Sequence, residues 1–209
     1  MRDTADRDDL RQRLRTARRA LSEIERRDAA TAVAGGVAVW PLFGEAQRIA
    51  GYWACNGELD PTPLLEVAWT ANKTVYLPVV VDTPFHALRF APYRPGLPLR
   101  RNRFNIPEPD VAPSEWLAPE QLDLVLVPLV AVDATGTRFG MGGGFYDRSF
   151  AFLGDSGYRG HRPLLLGLGY EFQKSAAPLR RQPWDVPLNA VATEAALQVF
   201  GPTNGMARG

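Results

Sequence analysis

The stretch Gly136-Thr137-Arg138-Phe139-Gly140-Met141-Gly142-Gly143-Gly144-Phe145-Tyr146-Asp147-Arg148 holds the residue types and spacing best suited to chemistry. Gly140, Gly142, Gly143 and Gly144 place four glycines within five positions. With no side chains to cover them, their N–H groups are free to take positive φ and to converge on an anion at the start of the helix that follows. A nucleotide phosphate suits that geometry. Arg138 and Arg148 bracket the loop with permanent charge, and Asp147 offers a hard oxygen where a phosphate-bound Mg2+ needs one. On the glycines alone, a tight turn is the competing reading. Two common nucleotide fingerprints are excluded. No Lys-Ser or Lys-Thr follows the glycines, and Phe145 stands where the dinucleotide pattern has its third glycine.

The elements that must position this loop follow from periodicity. Leu122 to Val132 is the most apolar run and is predicted as a central strand covered on both faces, with a helix from Phe145 to Leu153 after the loop. Upstream, Leu10, Leu14, Ala17 and Leu21 mark one stripe of a helix from Arg7 to Leu21; Arg7, Arg11, Arg15 and Arg18 fall largely on its other faces and read as solvated. Ser22 with Glu25 makes a capping box for a second helix, Glu23 to Val39. Ile49 to Cys55 reads as a strand ending at the turn Asn56 to Asp60, Pro61 opens a helix to Ala71, and Lys73 to Val81 is the next strand. That succession implies a parallel sheet with its ligand site beyond the carboxyl ends of the strands, and Glu58 sits at such an end. His86 to Phe90 is expected as an edge strand, and Ala91 to Pro119 as a proline-dense flap carrying Arg94, Arg100, Arg101 and Arg103. Leu164 to Gly169 and Ala190 to Thr193 are further strands, before a terminal helix ending near Phe200.

Composition sets the limits. A chain of 209 residues, 45% hydrophobic, is expected to form a single domain over 1–209, with loose tails at 1–6 and 201–209. A formal net charge of +1 gives no global field for nucleic acid or an anionic membrane, so an anion site must be local. Cys55 is the lone cysteine and His86 and His161 the only histidines, so a disulfide within the chain is excluded and any metal is expected on oxygen ligands. The charged start, Met1 to Asp9, and the lack of an eighteen-residue apolar run lead to the expectation of a cytoplasmic protein without a membrane span. A monomer is expected.

The loop resembles the signature of the 5-formyltetrahydrofolate cyclo-ligase (methenyltetrahydrofolate synthetase) family. Arg7-Asp8-Asp9-Leu10-Arg11 is similar to its amino-terminal Lys-x-x-Leu-Arg, Gly57-Glu58-Leu59-Asp60 to its acidic turn, and Ile106-Pro107-Glu108-Pro109 to its proline-rich motif. Gly167 to Gln173 and Asp185-Val186-Pro187-Leu188 are similar to its closing segments. The resemblance implies an α/β fold, a mostly parallel central sheet with helices on both faces in a three-layer, NagB/RpiA/CoA transferase-like sandwich. It implies ATP- and Mg2+-dependent conversion of 5-formyltetrahydrofolate to 5,10-methenyltetrahydrofolate, with a reduced formyl folate as small-molecule substrate. By the same token Arg7, Arg11, Arg138 and the run Phe139, Gly140, Met141, Gly142, Gly143, Gly144, Phe145 and Tyr146 would bind the nucleotide. Trp53, Glu58, Met141, Gly142 to Gly144 and Phe145 would bind the folate, Arg138, Tyr146 and Asp147 would act in catalysis, and Asp147 and Asp185 would hold the metal. Three positions depart from the family pattern: Arg7 replaces lysine, Met141 replaces a basic residue, and Trp184 replaces histidine. Arg7 and Met141 keep open the alternative of a non-catalytic nucleotide or folate binder, and the same loop would also serve another small ATP-dependent, kinase-like enzyme.

Overall fold

The computed structural model describes residues 2–81, 87–155 and 163–201. Its centre is a seven-stranded sheet in the order β12-β11-β9-β6-β1-β2-β3. The strands are β1 (Arg48–Ala50), β2 (Thr74–Val80), β3 (Leu88–Pro92), β6 (Leu124–Pro128), β9 (Leu164–Leu168), β11 (Ala190–Ala192) and β12 (Leu197–Val199). The five inner strands run parallel, while β3 and β12 close the two edges antiparallel. The chain turns one way from β1, through β2 to β3, and the other way from β6, through β9 to β11. A crevice therefore opens beyond the carboxyl ends of the adjacent strands β1 and β6.

Alternation along the central strands divides the core. Leu124 and Leu126 point to the face covered by α2 (Glu23–Ala38) and α4 (Thr62–Thr70), while Val125 and Val127 point to the other. Ala29, Ala30, Val33, Ala34 and Val37 form the buried stripe of α2, whose first turn carries the expected capping box between Ser22 and Glu25. Helices reach both faces of the sheet, but unequally. The second face is filled by Phe150, Leu188 and Phe200 from the short α5 (Phe145–Ser149) and neighbouring loops, not by a layer of long helices. A short helix, α3 (Pro41–Glu45), links α2 to β1.

Two further expectations change. The apolar run from Leu122 is not one strand: β6 ends at Pro128, and β7 (Ala131–Asp133) pairs instead with β8 (Arg138–Phe139) and β10 (Lys174–Ser175) in a separate small sheet. The segment before Phe200 is a strand, not a helix. Thr193 Oγ1 accepts from the N–H of Ala195 and Ala196, turning the chain so that β12 pairs with β11, and this pairing overrides the helix propensity of Glu194 to Leu197. The segment Ala91 to Pro119 is also more ordered than a flap of irregular chain, because β4 (Leu99–Arg101) and β5 (Pro107–Pro109) form a hairpin.

The helix α1 (Arg2–Ala20) starts before the expected Arg7. It docks on the small sheet through Leu10 and Leu14, which pack on Ala131, Phe139 and Leu179. His86, within the predicted edge strand, and the tail beyond Gly201 lie outside the described residues, while β3 begins at Leu88. Among the described residues no helix is long and apolar enough to cross a membrane. Leu126, fully buried in β6, tests the core assignment: Leu126→Ala is expected to destabilise the fold by about 2–5 kcal/mol, read from urea unfolding midpoints.

Candidate active site

The glycine loop leaves β8 at Gly140 and ends at Gly144, the N-cap of α5, where φ is 64°. Gly142 also takes a positive φ, 97°, so two of the four glycines occupy backbone conformations that other residues rarely adopt. Among the described residues, no amide from Met141 to Gly144 donates a hydrogen bond to the protein, and Met141 to Gly143 are exposed. α5 is only five residues long, so these bare amides, not a helix dipole, are what the loop offers an anion.

Charge gathers beside them from α1. The Arg7 guanidinium lies over the Phe139 ring at 4.4 Å and that of Arg11 at 5.4 Å, while Arg11 Nε donates to the Gly140 carbonyl at 3.2 Å. Arg7 Nε is buried without a partner among the described residues. Arg7, Arg11 and Arg18 therefore share the docking face of α1 with Leu10 and Leu14, while Arg13, Ala17 and Arg19 are exposed, so the docking face is rotated from the expected stripe. Arg18 is the extreme case, with 1% of its surface accessible.

Arg138 points inward. Its Nη2 donates to Asp147 Oδ1 at 2.9 Å and its Nη1 donates to the Val186 carbonyl, while Val186 N–H donates to the same Asp147 oxygen at 3.1 Å. This clasp brings the two expected metal ligands together in one region. Asp185, adjacent to Val186, accepts from Gln182 N–H at Oδ2, 2.8 Å away. Among the described residues no group of three or more His, Cys, Asp or Glu forms a metal cluster, and the Asp147 and Asp185 carboxylates are the candidate pair in this region. That suits Mg2+, which keeps several waters and completes its shell with substrate phosphates. Arg148 lies outside the clasp, donating to the Gly143 carbonyl with its guanidinium 5.6 Å from the Phe145 ring. Trp184 is exposed.

Glu58 is buried beyond β1, its Oε2 accepting from Cys55 N–H at 3.1 Å and from Cys55 Sγ at 3.4 Å. Burial holds its carboxyl above the usual range; the Cys55 bonds and the Arg18 charge act against that shift without cancelling it. Burial, then the Glu58 charge, push the Cys55 thiol up to about 11. The Tyr146 hydroxyl is raised by the same two causes, which places α5 within the field of Glu58. Aromatic surface surrounds these groups: Trp53 is 39% exposed and meets Tyr93 edge-on at 6.5 Å, and Tyr146 stacks on Phe150. Phe104, from the β4–β5 hairpin, meets Phe145 edge-on at 5.6 Å. Sequence reasoning missed Phe104 and Arg18, and its only pointers were the proline-rich motif next to the first and the helical spacing from Arg7 to the second. None of the expected site residues lines the cavity of about 520 Å3 bounded by Asp133, Thr137, Arg181 and Phe200, although Arg181 on its wall donates to the Asp185 carbonyl at 3.1 Å.

A family model for the 5-formyltetrahydrofolate cyclo-ligase family matches residues 3–194. The chain belongs to this family. It is 36% identical over 182 residues to the 5-formyltetrahydrofolate cyclo-ligase of Escherichia coli K12, covering 86% of this chain and 96% of that protein. It is 34% identical over 185 residues to the enzyme of that name from Haemophilus influenzae, covering 88% and 96%. The solution structure of Aquifex aeolicus 5,10-methenyltetrahydrofolate synthetase superposes with a TM-score of 0.76 at 30% identity, covering 96% of each chain. The Mycoplasma pneumoniae synthetase, at 22% identity, shares the fold with a TM-score of 0.69, covering 90% of this chain and 99% of that one. The family resemblance carried by the loop, the acidic turn and the closing segments is thus established, and the chain is an enzyme of the cyclo-ligase family.

The buried carboxylate makes a prediction about stability. Because Glu58 is raised in the folded state above the 4.5 of an unperturbed glutamate, folding favours its protonated form, and this contribution is lost as pH rises from about 4.5 through the folded-state value. Glu58→Gln should remove that dependence. Urea midpoints should place the variant above the parent near pH 8, with the difference shrinking towards pH 4.5.

Proposed function

We propose that the chain catalyses the ATP- and Mg2+-dependent conversion of 5-formyltetrahydrofolate to 5,10-methenyltetrahydrofolate, releasing ADP and phosphate. The observation that carries this reading is the row of unpartnered amides from Met141 to Gly144, set between the basic face of α1 and the Asp147 carboxylate. A formamide carbonyl is a poor electrophile, because nitrogen donates into it and its oxygen is a poor leaving group. Transfer of the ATP γ-phosphoryl to that oxygen, with departure of ADP, removes both obstacles. N10 of the folate then bonds to the formyl carbon and gives up its proton, and phosphate leaves with the former formyl oxygen.

Transfer of this kind asks the protein mainly for positioning and charge neutralisation. Met141 to Gly144, with Arg7 and Arg11 beside them, are assigned to the phosphates. Arg138 contributes by holding Asp147, and the Asp147 and Asp185 carboxylates are assigned to the cation, which when bound would neutralise phosphate charge. Glu58 hydrogen-bonds the folate, while Trp53, Phe145, Tyr146 and Phe104 form its apolar walls. Burial, then the Glu58 charge, keep the Tyr146 hydroxyl protonated.

The test is direct. Purified protein mixed with 5-formyltetrahydrofolate, ATP and Mg2+ should generate methenyl-folate absorbance, and none should form without ATP; tight binding of both substrates with no product would overturn the assignment in favour of a binder. Glu58→Ala should raise KM for the folate more than for ATP, and Asp147→Asn should raise the Mg2+ concentration needed for half-maximal rate. Met141→Lys restores a basic residue between the glycines and should lower KM for ATP by about tenfold, the scale of one charge-assisted contact.

A further inference from the structure

Arg18 is buried on α1 and takes no part in the chemistry assigned above. Its Nη1 donates to the Leu129 carbonyl at 3.0 Å, and its Nη2 donates to the Asn56 carbonyl at 3.2 Å. Leu129 follows the last residue of β6, and Asn56 opens the turn beyond β1 that presents Glu58. One guanidinium thus spans the point where the chain diverges in opposite directions from two adjacent parallel strands. The turn itself is tight: Asn56 and Gly57 take φ of 52° and 75°, and a Cβ at Gly57 would stand 3.0 Å from the Arg18 carbonyl. Helix and turn are interlocked at backbone level.

Two turns earlier on the same helix, Arg11 Nε donates to Gly140, the first residue of the glycine loop. The seven residues from Arg11 to Arg18 span about 10 Å of a stiff helix. α1 therefore contacts the loop at one point and the Glu58 turn at another, and fixes the distance between them. We propose that Arg18 is a positioning residue for the reaction, holding the Asn56–Glu58 turn against the carboxyl end of β6 so that the Glu58 carboxylate meets the folate in register with the nucleotide loop. This rests on the proposed reading of Glu58 as a folate contact.

The charge of Arg18 matters as well as its fork. The titratable groups facing Glu58 are Arg18 from α1, Tyr52 and Cys55 from its own segment, and Tyr146 from α5. The two tyrosines and the cysteine are all raised, so Arg18 is the cation among them that favours the ionised carboxylate. Removing it need not orphan the Leu129 carbonyl, which also accepts from Gln173 Nε2 at 3.0 Å.

The experiment measures KM for 5-formyltetrahydrofolate and for ATP across pH, with thermal midpoints, for the parent, Arg18→Met, Arg18→Lys and Gly57→Ala. Arg18→Met should raise KM for the folate about tenfold or more, leave KM for ATP within about twofold, and move the acid limb of folate binding to higher pH. Arg18→Lys should restore the limb but only part of the affinity, because an ammonium cannot span both carbonyls as the planar fork does. Gly57→Ala keeps the charge and pushes the turn off the helix, so it should weaken folate binding without moving the limb. A folate KM and acid limb unchanged in Arg18→Met, or equal losses for both substrates, overturns the assignment. If Arg18→Met does not fold, an unchanged folate KM in Gly57→Ala overturns it. A parent that turns over while Arg18→Met matches it sinks the Arg18 role alone; a parent without turnover sinks the proposed function and this role with it.

Discussion

The site depends on the clasp between Arg138, Asp147 and Val186. It joins the start of β8, the first turn of α5 and the segment before β11, regions separated by up to 48 residues. Arg138 is almost inaccessible and Asp147 only partly exposed, so their charge-assisted bond is shielded from competing water. The glycine loop lies between the two anchored ends. On one side Val132 pairs with Arg138 and Ala131 with Phe139 in the small sheet; on the other Asp147 is held. A loop pinned at both ends can keep its own amides unpartnered and still present them in one arrangement. Preorganised donors of that kind need little rearrangement when an anion arrives.

The basic residues of α1 follow from the same economy of position. An amphipathic helix docks by its apolar stripe, yet this one docks with arginines among its leucines. Arg7 and Arg11 are tolerated against the protein because Phe139 offers its ring face and Gly140 its carbonyl, leaving charge beside the loop. Arg18 is tolerated because two main-chain carbonyls accept from it, with Glu58 close enough to oppose the penalty of burial. Residues that look like a solvated face in sequence thus connect the sheet, the loop and the turn.

Much of the architecture was legible from the chain. The capping box at Ser22 and Glu25 located α2, the apolar runs at Leu124 and Leu164 located β6 and β9, and the glycine spacing located the loop. Period-two and period-3.6 patterns survive where one face meets the core. They failed where a tertiary partner decided the outcome. Glu194 to Leu197 reads as helix until β11 offers an edge, and the run past Pro128 reads as strand until β8 captures β7. The α1 arginines were misplaced because hydropathy gives guanidinium no credit for aromatic or carbonyl partners. Phe104 was invisible for another reason: its contact with Phe145 joins residues 41 positions apart, and no local pattern encodes it.

The β4–β5 hairpin shows how such a remote contact is made dependable. Asn102 Oδ1 accepts from Phe104 N–H at 2.8 Å and from Ile106 N–H at 3.1 Å, closing the tip around Asn105, which takes a φ of 61°. Asn102 Nδ2 donates to Glu108 Oε1, which also accepts from Val80 N–H, both at 2.8 Å. Glu108 is 3% exposed, so this carboxylate links the tip through two strong bonds to the edge of the main sheet. An aromatic ring held half-exposed on a closed tip, with its base tied to β2, loses little further freedom when a flat ligand stacks beside it. The segment that reads in sequence as a loose basic flap is, at its tip, a closed turn tied to the edge of the main sheet through the Asn102–Glu108 and Glu108–Val80 bonds.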